Sequence, residues 1–224
     1  MKTLLIELID VRKRYNATEV LKGINLKADE GEFVTIRGKS GAGKTTLLKI
    51  IGLLESPDDG KLKIFGHDAE RLSDNEKSNL RLHHIGFVFQ FFNLIPSLTI
   101  LENIELPLAL AGTNKQERRG RACRLLKYFG LTSLAERFPE TLSGGERQRI
   151  AVIRALANNP KIILADEPAS SIDDENSKLL MNLLTSITRE RKVTIILSTT
   201  DLYEKLPSNQ DYLLKEGYLY GTNS

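Results

Sequence analysis

The 224-residue chain contains a single cysteine, Cys123, so no disulfide can form within it. Its stability must come from a packed core, and the scarcity of thiols fits a reducing compartment. No stretch reaches about 18 uninterrupted apolar residues, so no membrane-spanning helix is expected. The opening MKTLLIELID has the lysine and apolar run of a secretory signal. Glu7 and Asp10 break that run and no small-residue cleavage site follows, so no signal is expected. Neither sign of charge dominates: 32 basic against 29 acidic residues leave a net charge of +3. That balance is too even to imply a nucleic-acid partner from charge alone, and none is expected. No internal repeat and no low-complexity segment is visible. No Cys/His group has zinc-ligand spacing, and His67, His83 and His84 read as surface residues. Arg118, Arg119, Arg121 and Arg124 read as a solvated basic helix face.

What is present is globular. Hydrophobic residues make up 41% and charged residues 27%, which decides against general disorder. The length suits one large domain, or one domain with a lobe. Phe33–Ile36, Ile162–Ala165 and Val193–Leu197 are short and almost wholly apolar, as strands buried on both faces of a parallel sheet read. Further strand-like runs are Leu4–Ile9, Leu62–Phe65, Ile85–Phe89 and Tyr212–Leu214. Lys44–Leu53 and Glu175–Arg189 read as helices, the second with Leu179, Leu180, Leu183, Leu184 and Ile187 on one face. Strands alternating with helices predict an α/β fold. Between 91 and 158 the pattern turns helical. Thr99–Glu102 and Ser143–Glu146 are capping-box patterns, Gly112 and Gly130 are plausible stops, and Asn158-Asn159-Pro160 ends the last helix.

Gly38-Lys39-Ser40-Gly41-Ala42-Gly43-Lys44-Thr45 matches the P-loop pattern in full, between a strand and a helix as the motif requires. Glycines let backbone N–H groups turn toward a phosphate, and the helix N-terminus adds partial positive charge. Lys44 is expected to reach the β- and γ-phosphates, and the Thr45 hydroxyl, followed by Thr46, to ligate Mg²⁺. Lys161-Ile-Ile-Leu-Ala-Asp166-Glu167 is an apolar strand ending in two carboxylates. Beside a P-loop, Asp166 would hold the Mg²⁺ hydration shell and Glu167 would polarise the attacking water.

Leu142-Ser143-Gly144-Gly145-Glu146 then resembles the signature motif of the ATP-binding subunits of ABC transporters. The resemblance covers essentially the whole chain. It implies a single nucleotide-binding domain over 1–224, with a RecA-like parallel sheet core, an N-terminal antiparallel β portion and an inserted helical subdomain. The core would be 1–90 and 159–224, and the helical subdomain 91–158. It implies that ATP is sandwiched in a head-to-tail dimer, with Ser143, Gly144 and Gly145 contacting the γ-phosphate held by a partner subunit. Tyr15 sits where the family stacks an aromatic on adenine, and Gln90 matches the glutamine that senses Mg²⁺ and water. Ser170-Ser-Ile-Asp173 matches the D-loop, and Pro168 the proline after the catalytic glutamate. The stretch Ile85–Thr99, with Leu101–Ile104 and Leu106–Leu108, looks like the lipoprotein-releasing, macrolide-export and cell-division ATPase group. The resemblance implies a cytoplasmic subunit on the inner face of a membrane, docked to a transmembrane permease near Phe91, Phe92, Leu94 and Ile95. Its dimer partner would be a second copy or a sister subunit.

One position departs from the pattern. The family expects histidine after the strand Val193–Leu197, as in Thr-His-Asp; this chain reads Ser198-Thr199-Thr200-Asp201. Thr200 is shorter and carries no charge, though it can donate one hydrogen bond. Losing one transition-state contact of this kind costs about 2.7–4 kcal/mol, or about 100- to 1000-fold in rate. Slow hydrolysis with intact ATP binding is therefore expected, and a regulatory clamp with little turnover is the alternative to a transport energiser. A soluble ATPase acting on DNA or ribosomes fits less well, because such chains usually carry tandem cassettes or coiled-coil insertions.

Overall fold

The structure, a computed structural model, describes residues 3–202 and 206–222. Met1 and Lys2, which open the apolar N-terminal run, lie outside the described residues. A six-stranded sheet forms the centre. Its strands are β3 (Phe33–Arg37), β6 (Ile85–Phe89), β7 (Ile162–Asp166), β8 (Thr194–Thr199), β9 (Gln210–Lys215) and β10 (Tyr218–Gly221). Their order is β10-β9-β3-β8-β7-β6, parallel throughout except for the edge pair β9–β10. Alternation sorts the buried side chains between the two faces. Ile162, Leu164 and Ile196 pack with Leu47, Leu48, Ile50 and Ile51 of helix α1 (Lys44–Ile51). Ile163, Ala165, Ile195 and Leu197 pack on the other face with Leu180, Leu184 and Ile187 of α6 (Asp174–Arg191).

A second, antiparallel sheet has the order β2-β1-β4-β5 and closes over the α1 side. Its strands are β1 (Leu4–Tyr15), β2 (Thr18–Asp29), β4 (Asp59–Ile64) and β5 (His67–Asp68). Helix α2 (Asp74–His84) leads into β6. Between β6 and β7 lie α3 (Ile100–Leu110), α4 (Lys115–Tyr128) and α5 (Gly144–Ala155). These three pack around Ile104, Leu108, Leu126, Ile150 and Ile153. Helix α5 faces two ways, since its Val152, with Leu156 just beyond its end, joins the core of the central sheet. The predicted capping boxes form at Thr99/Glu102 and Ser143/Glu146.

One surface reading needs correction and a second gains detail. His83 and His84 are half-buried, and His84 lies 5.4 Å from the Phe65 ring. Arg118 and Arg119 are tethered to Glu105 at 3.3 and 3.6 Å, and Arg119 also to Glu136 at 3.0 Å. The His84 burial has a pH consequence. Burial, with Lys161 and His83 nearby, holds its pKa below the ordinary histidine value. In the unfolded chain it takes up a proton near about pH 6.5. Protonation thus favours the unfolded chain, and stability is lost as pH falls from about 6.5 through the lower folded value. Thermal unfolding should show the native midpoint falling more steeply than that of His84→Gln between about pH 7.5 and 5.5. Parallel slopes would refute the assignment.

Candidate nucleotide-binding site

Helix α1 begins at Gly43, whose φ of 101° is left-handed. A β-carbon there would also approach Val20 Cγ1 to 2.9 Å, so glycine is required for both conformation and space. No side chain caps α1 and its first turn has no acid. The other α-helices are capped in cis by Ser73, Thr99, Asn114, Ser143 and Asp173. The α1 terminus is therefore left open for an anion. Gly38 is buried and bonded to Thr199 O at 3.1 Å, while Lys39, Ser40 and Gly41 form the exposed rim. Ala42, donating to Lys39 O, and Thr46 are half-buried.

Lys44 is buried at the base of this loop. Its Nζ donates to Gly38 O at 2.8 Å and Lys39 O at 3.1 Å, and sits 3.0 Å from Glu167 Oε1. All three ammonium protons are thus engaged within the chain. Thr45 Oγ1 donates to Asp166 Oδ2 at 2.8 Å. The structure therefore brings Lys44, Thr45, Asp166 and Glu167 into one bonded cluster. Glu167 has a left-handed φ of 47°, an uncommon conformation for a side chain of this size. Its N–H donates to both Ser198 O and Ser198 Oγ at 3.1 Å. Ser198 Oγ in turn donates to Asp166 Oδ1 at 2.6 Å. Sequence reasoning assigned Ser198 no role, because only the β7–β8 register, which pairs Asp166 with Ser198, shows what it touches.

The same register sets Gln90, which directly follows Phe89, the β6 partner of Asp166. Gln148 Nε2 donates to Phe89 O at 3.2 Å, and Arg154 donates to Phe92 O at 2.9 Å and Asn93 O at 2.5 Å. Helix α5 therefore holds the turn that carries Gln90 from both sides. Thr200 is exposed and lines a cleft of about 310 Å³ with Glu167, Ser170 and Ser198. Tyr15 ends β1 with its ring partly exposed, and its hydroxyl donates to Glu55. Glu55 also pairs with Lys49 at 3.1 Å; the Tyr15 hydroxyl and Lys49 hold its carboxyl below the usual range.

Ser143, Gly144 and Gly145 make no hydrogen bond to the P-loop cluster among the described residues, and Gly144 lies beside Ile172 and Ser171. Ser143 Oγ accepts from Glu146 N at 3.2 Å, and the Glu146 carboxylate accepts from Ser143 N at 2.8 Å. That backbone bond holds the Glu146 pKa below its ordinary value. The signature helix meets α6 through side chains that sequence reasoning missed. Arg149 donates to Asn176 Oδ1 at 2.9 Å, and Asn176 Nδ2 to Asp173 Oδ2 at 2.8 Å. A methyl at Gly145 would fall inside the Asn176 side chain, so this contact requires glycine.

A glycine loop opening onto an uncapped helix, with its lysine and hydroxyl bonded to carboxylates at a neighbouring strand end, defines a P-loop nucleotide-binding protein. The chain belongs to the ABC transporter family, whose pattern matches residues 21–170. It is similar to the lipoprotein-releasing system ATP-binding protein LolD of Porphyromonas gingivalis, 43% identical over 219 residues, covering 97% of this chain and 99% of that one. The protein of that name in Bacteroides fragilis is 45% identical over 197 residues, covering 88% and 91%. The ATP-binding cassette MJ0796, in a dimeric post-hydrolysis state bound to ADP and Pi, superposes with a TM-score of 0.87 at 40% identity, covering 98% of this chain and all of that one. The chain is thus an ATP-binding subunit of the ABC transporter class. No described helix is long and apolar enough to cross a membrane.

Proposed function

We propose that this chain binds ATP at the P-loop, closes face to face with a second nucleotide-binding subunit, and so drives a membrane permease. The observation that carries the reading is the Lys44–Glu167 and Thr45–Asp166 pairing at an uncapped helix N-terminus, with the signature on a separate helix that does not reach it. A site split in this way is completed only by a partner. Gly38 to Thr46 would cradle the phosphates, and Tyr15, held by Glu55, would offer its ring to adenine. Ser143 Oγ, which accepts from Glu146, has its own proton to donate to the partner's nucleotide. Gly144 and Gly145 would allow close backbone approach there, and Asp173 would present the D-loop at the same interface.

The donor set fits Mg²⁺. A hydroxyl, a carboxylate and an amide oxygen, from Thr45, Asp166 and Gln90, are hard oxygen ligands, and two of them are already hydrogen-bonded to each other. When bound, the ion would neutralise charge on the phosphates. Glu167 would accept a proton from the attacking water, after Lys44 exchanges its carboxylate for phosphate oxygens. Gln90 would orient that water. Thr200 offers one neutral hydrogen bond where the family pattern has a histidine, so turnover is slow. That substitution also favours a second reading, a regulatory clamp that binds ATP and a permease but seldom hydrolyses.

The half-open groove lined by Phe87, Phe89, Leu106 and Leu110, beside the exposed Phe91, would seat the permease. The subunit would then lie on the cytoplasmic face of the membrane. Its likeness to lipoprotein-releasing subunits makes lipoproteins the first cargo class to test. Sedimentation of the Glu167→Gln protein is the direct test of the split site. ATP should double the mass of the sedimenting species, and Ser143→Arg should abolish the doubling while leaving ATP bound. A monomer saturated with ATP would overturn closure between two copies of this chain and leave only a sister subunit as partner.

A further inference from the structure

Ser198 is fully buried, yet its hydroxyl is committed to the nucleotide site. The bond directions there are forced. A carboxylate has no proton, so Ser198 Oγ must donate to Asp166 Oδ1 at 2.6 Å. A backbone N–H can only donate, so the same oxygen accepts from Glu167 N at 3.1 Å. The second oxygen of Asp166 is taken by Thr45 at 2.8 Å. Two hydroxyls on opposite oxygens fix the plane of the Asp166 carboxylate. Ser198 can play this part because β8 lies beside β7 with Ser198 opposite Asp166. Its side chain therefore rises at the same end of the sheet as the metal-side carboxylate.

We infer that Ser198 is a positioning residue for the divalent cation, acting through Asp166 and through the backbone of Glu167. The inference rests on the ATP-site reading above and adds a residue that neither the P-loop nor the signature pattern contains. Hydrogen-bond partners that orient a metal-side ligand matter about as much as many ligands; removing one typically costs about 10- to 100-fold in metal affinity. Alanine at 198 removes the donor to Asp166 Oδ1, but Asp166 is only half-buried, so water can take the vacated bond while the carboxylate loses its fixed orientation. The Glu167 N–H keeps its second acceptor, Ser198 O, so the backbone of the strand end is retained.

The test uses Mn²⁺ as the probe and needs no turnover. Electron paramagnetic resonance would follow free Mn²⁺ during titration of the intact protein with ATP present, for the native chain, Ser198→Ala and Asp166→Asn. ATP binding without divalent cation and the thermal midpoint would be measured alongside. Ser198→Ala should weaken Mn²⁺ retention by about tenfold or more, leaving metal-free ATP binding and the midpoint nearly unchanged. Native-like Mn²⁺ retention in Ser198→Ala overturns the inference. So does a parallel loss of metal-free ATP binding, which marks general damage. If the native chain itself retains no Mn²⁺ with ATP, the site reading has failed and the inference falls with it. If instead Asp166→Asn weakens retention and Ser198→Ala does not, only the inference fails.

Discussion

Replacing Glu167 by glutamine is expected to lower ATP turnover by about 100- to 10,000-fold, the usual worth of a positioned general base. The same change should tighten ATP binding several-fold, and the reason lies in the nucleotide-free cluster. Lys44 is buried and holds Glu167 at 3.0 Å, so a phosphate must displace that carboxylate to reach the ammonium. Glutamine keeps the size of the side chain and removes the charge that competes. The two halves of the prediction separate the roles of one residue. A base that did not touch Lys44 would lose turnover with no gain in affinity. Equilibrium binding of ATP and steady-state phosphate release, measured on the same preparations, check both. Turnover within tenfold of native would remove Glu167 as the base. Because Thr200 is expected to slow the native chain, the comparison is sharpest in a Thr200→His background, where there is more rate to lose.

Much of this site could be read from the sequence, because its parts are local. The P-loop is a contiguous string whose glycines and lysine announce their own backbone geometry. The Asp166-Glu167 pair ends an apolar run that could only be a buried strand. The signature declares a capped helix start through Ser143 and Glu146. What the sequence concealed depends on long-range pairing. Strand β1 runs on through Arg12–Tyr15, a charged stretch that looks like loop until it pairs with Thr18, Glu19, Leu21 and Lys22 of β2. Helix α2 buries none of its residues fully, so no apolar stripe marks it. Its Ser73–Glu76 capping box was the available signal. The β9–β10 hairpin was marked by Glu216-Gly217, both with positive φ in the structure. Ser198 reads as the polar end of an apolar strand, and its bond to Asp166 needs the β7–β8 register. The grip of α5 on the Gln90 turn likewise joins residues about 60 positions apart, such as Gln148 and Phe89 at a separation of 59.

Histidine in place of Thr200 is expected to raise turnover by tenfold or more, up to the roughly 100- to 1000-fold worth of one transition-state contact. The geometry favours a gain over a loss of folding. Position 200 is exposed, so the larger ring meets no packed core. It directly follows Thr199, whose carbonyl accepts from Gly38 of the P-loop at 3.1 Å, so the backbone there is tied to the phosphate site. It also opens on the cleft it shares with Glu167. Affinity for ATP should change little, since the contact matters where charge develops on the transferring phosphoryl group. A rise in kcat at nearly constant KM would therefore place the defect in the chemical step and support the clamp, whose bound state outlasts many turnovers of an ordinary cassette. Equal rates for the two proteins would mean that Thr200, or a water it holds, already supplies the contact. The chain would then energise its permease at full speed, and the histidine would be one of two side chains able to serve at that position.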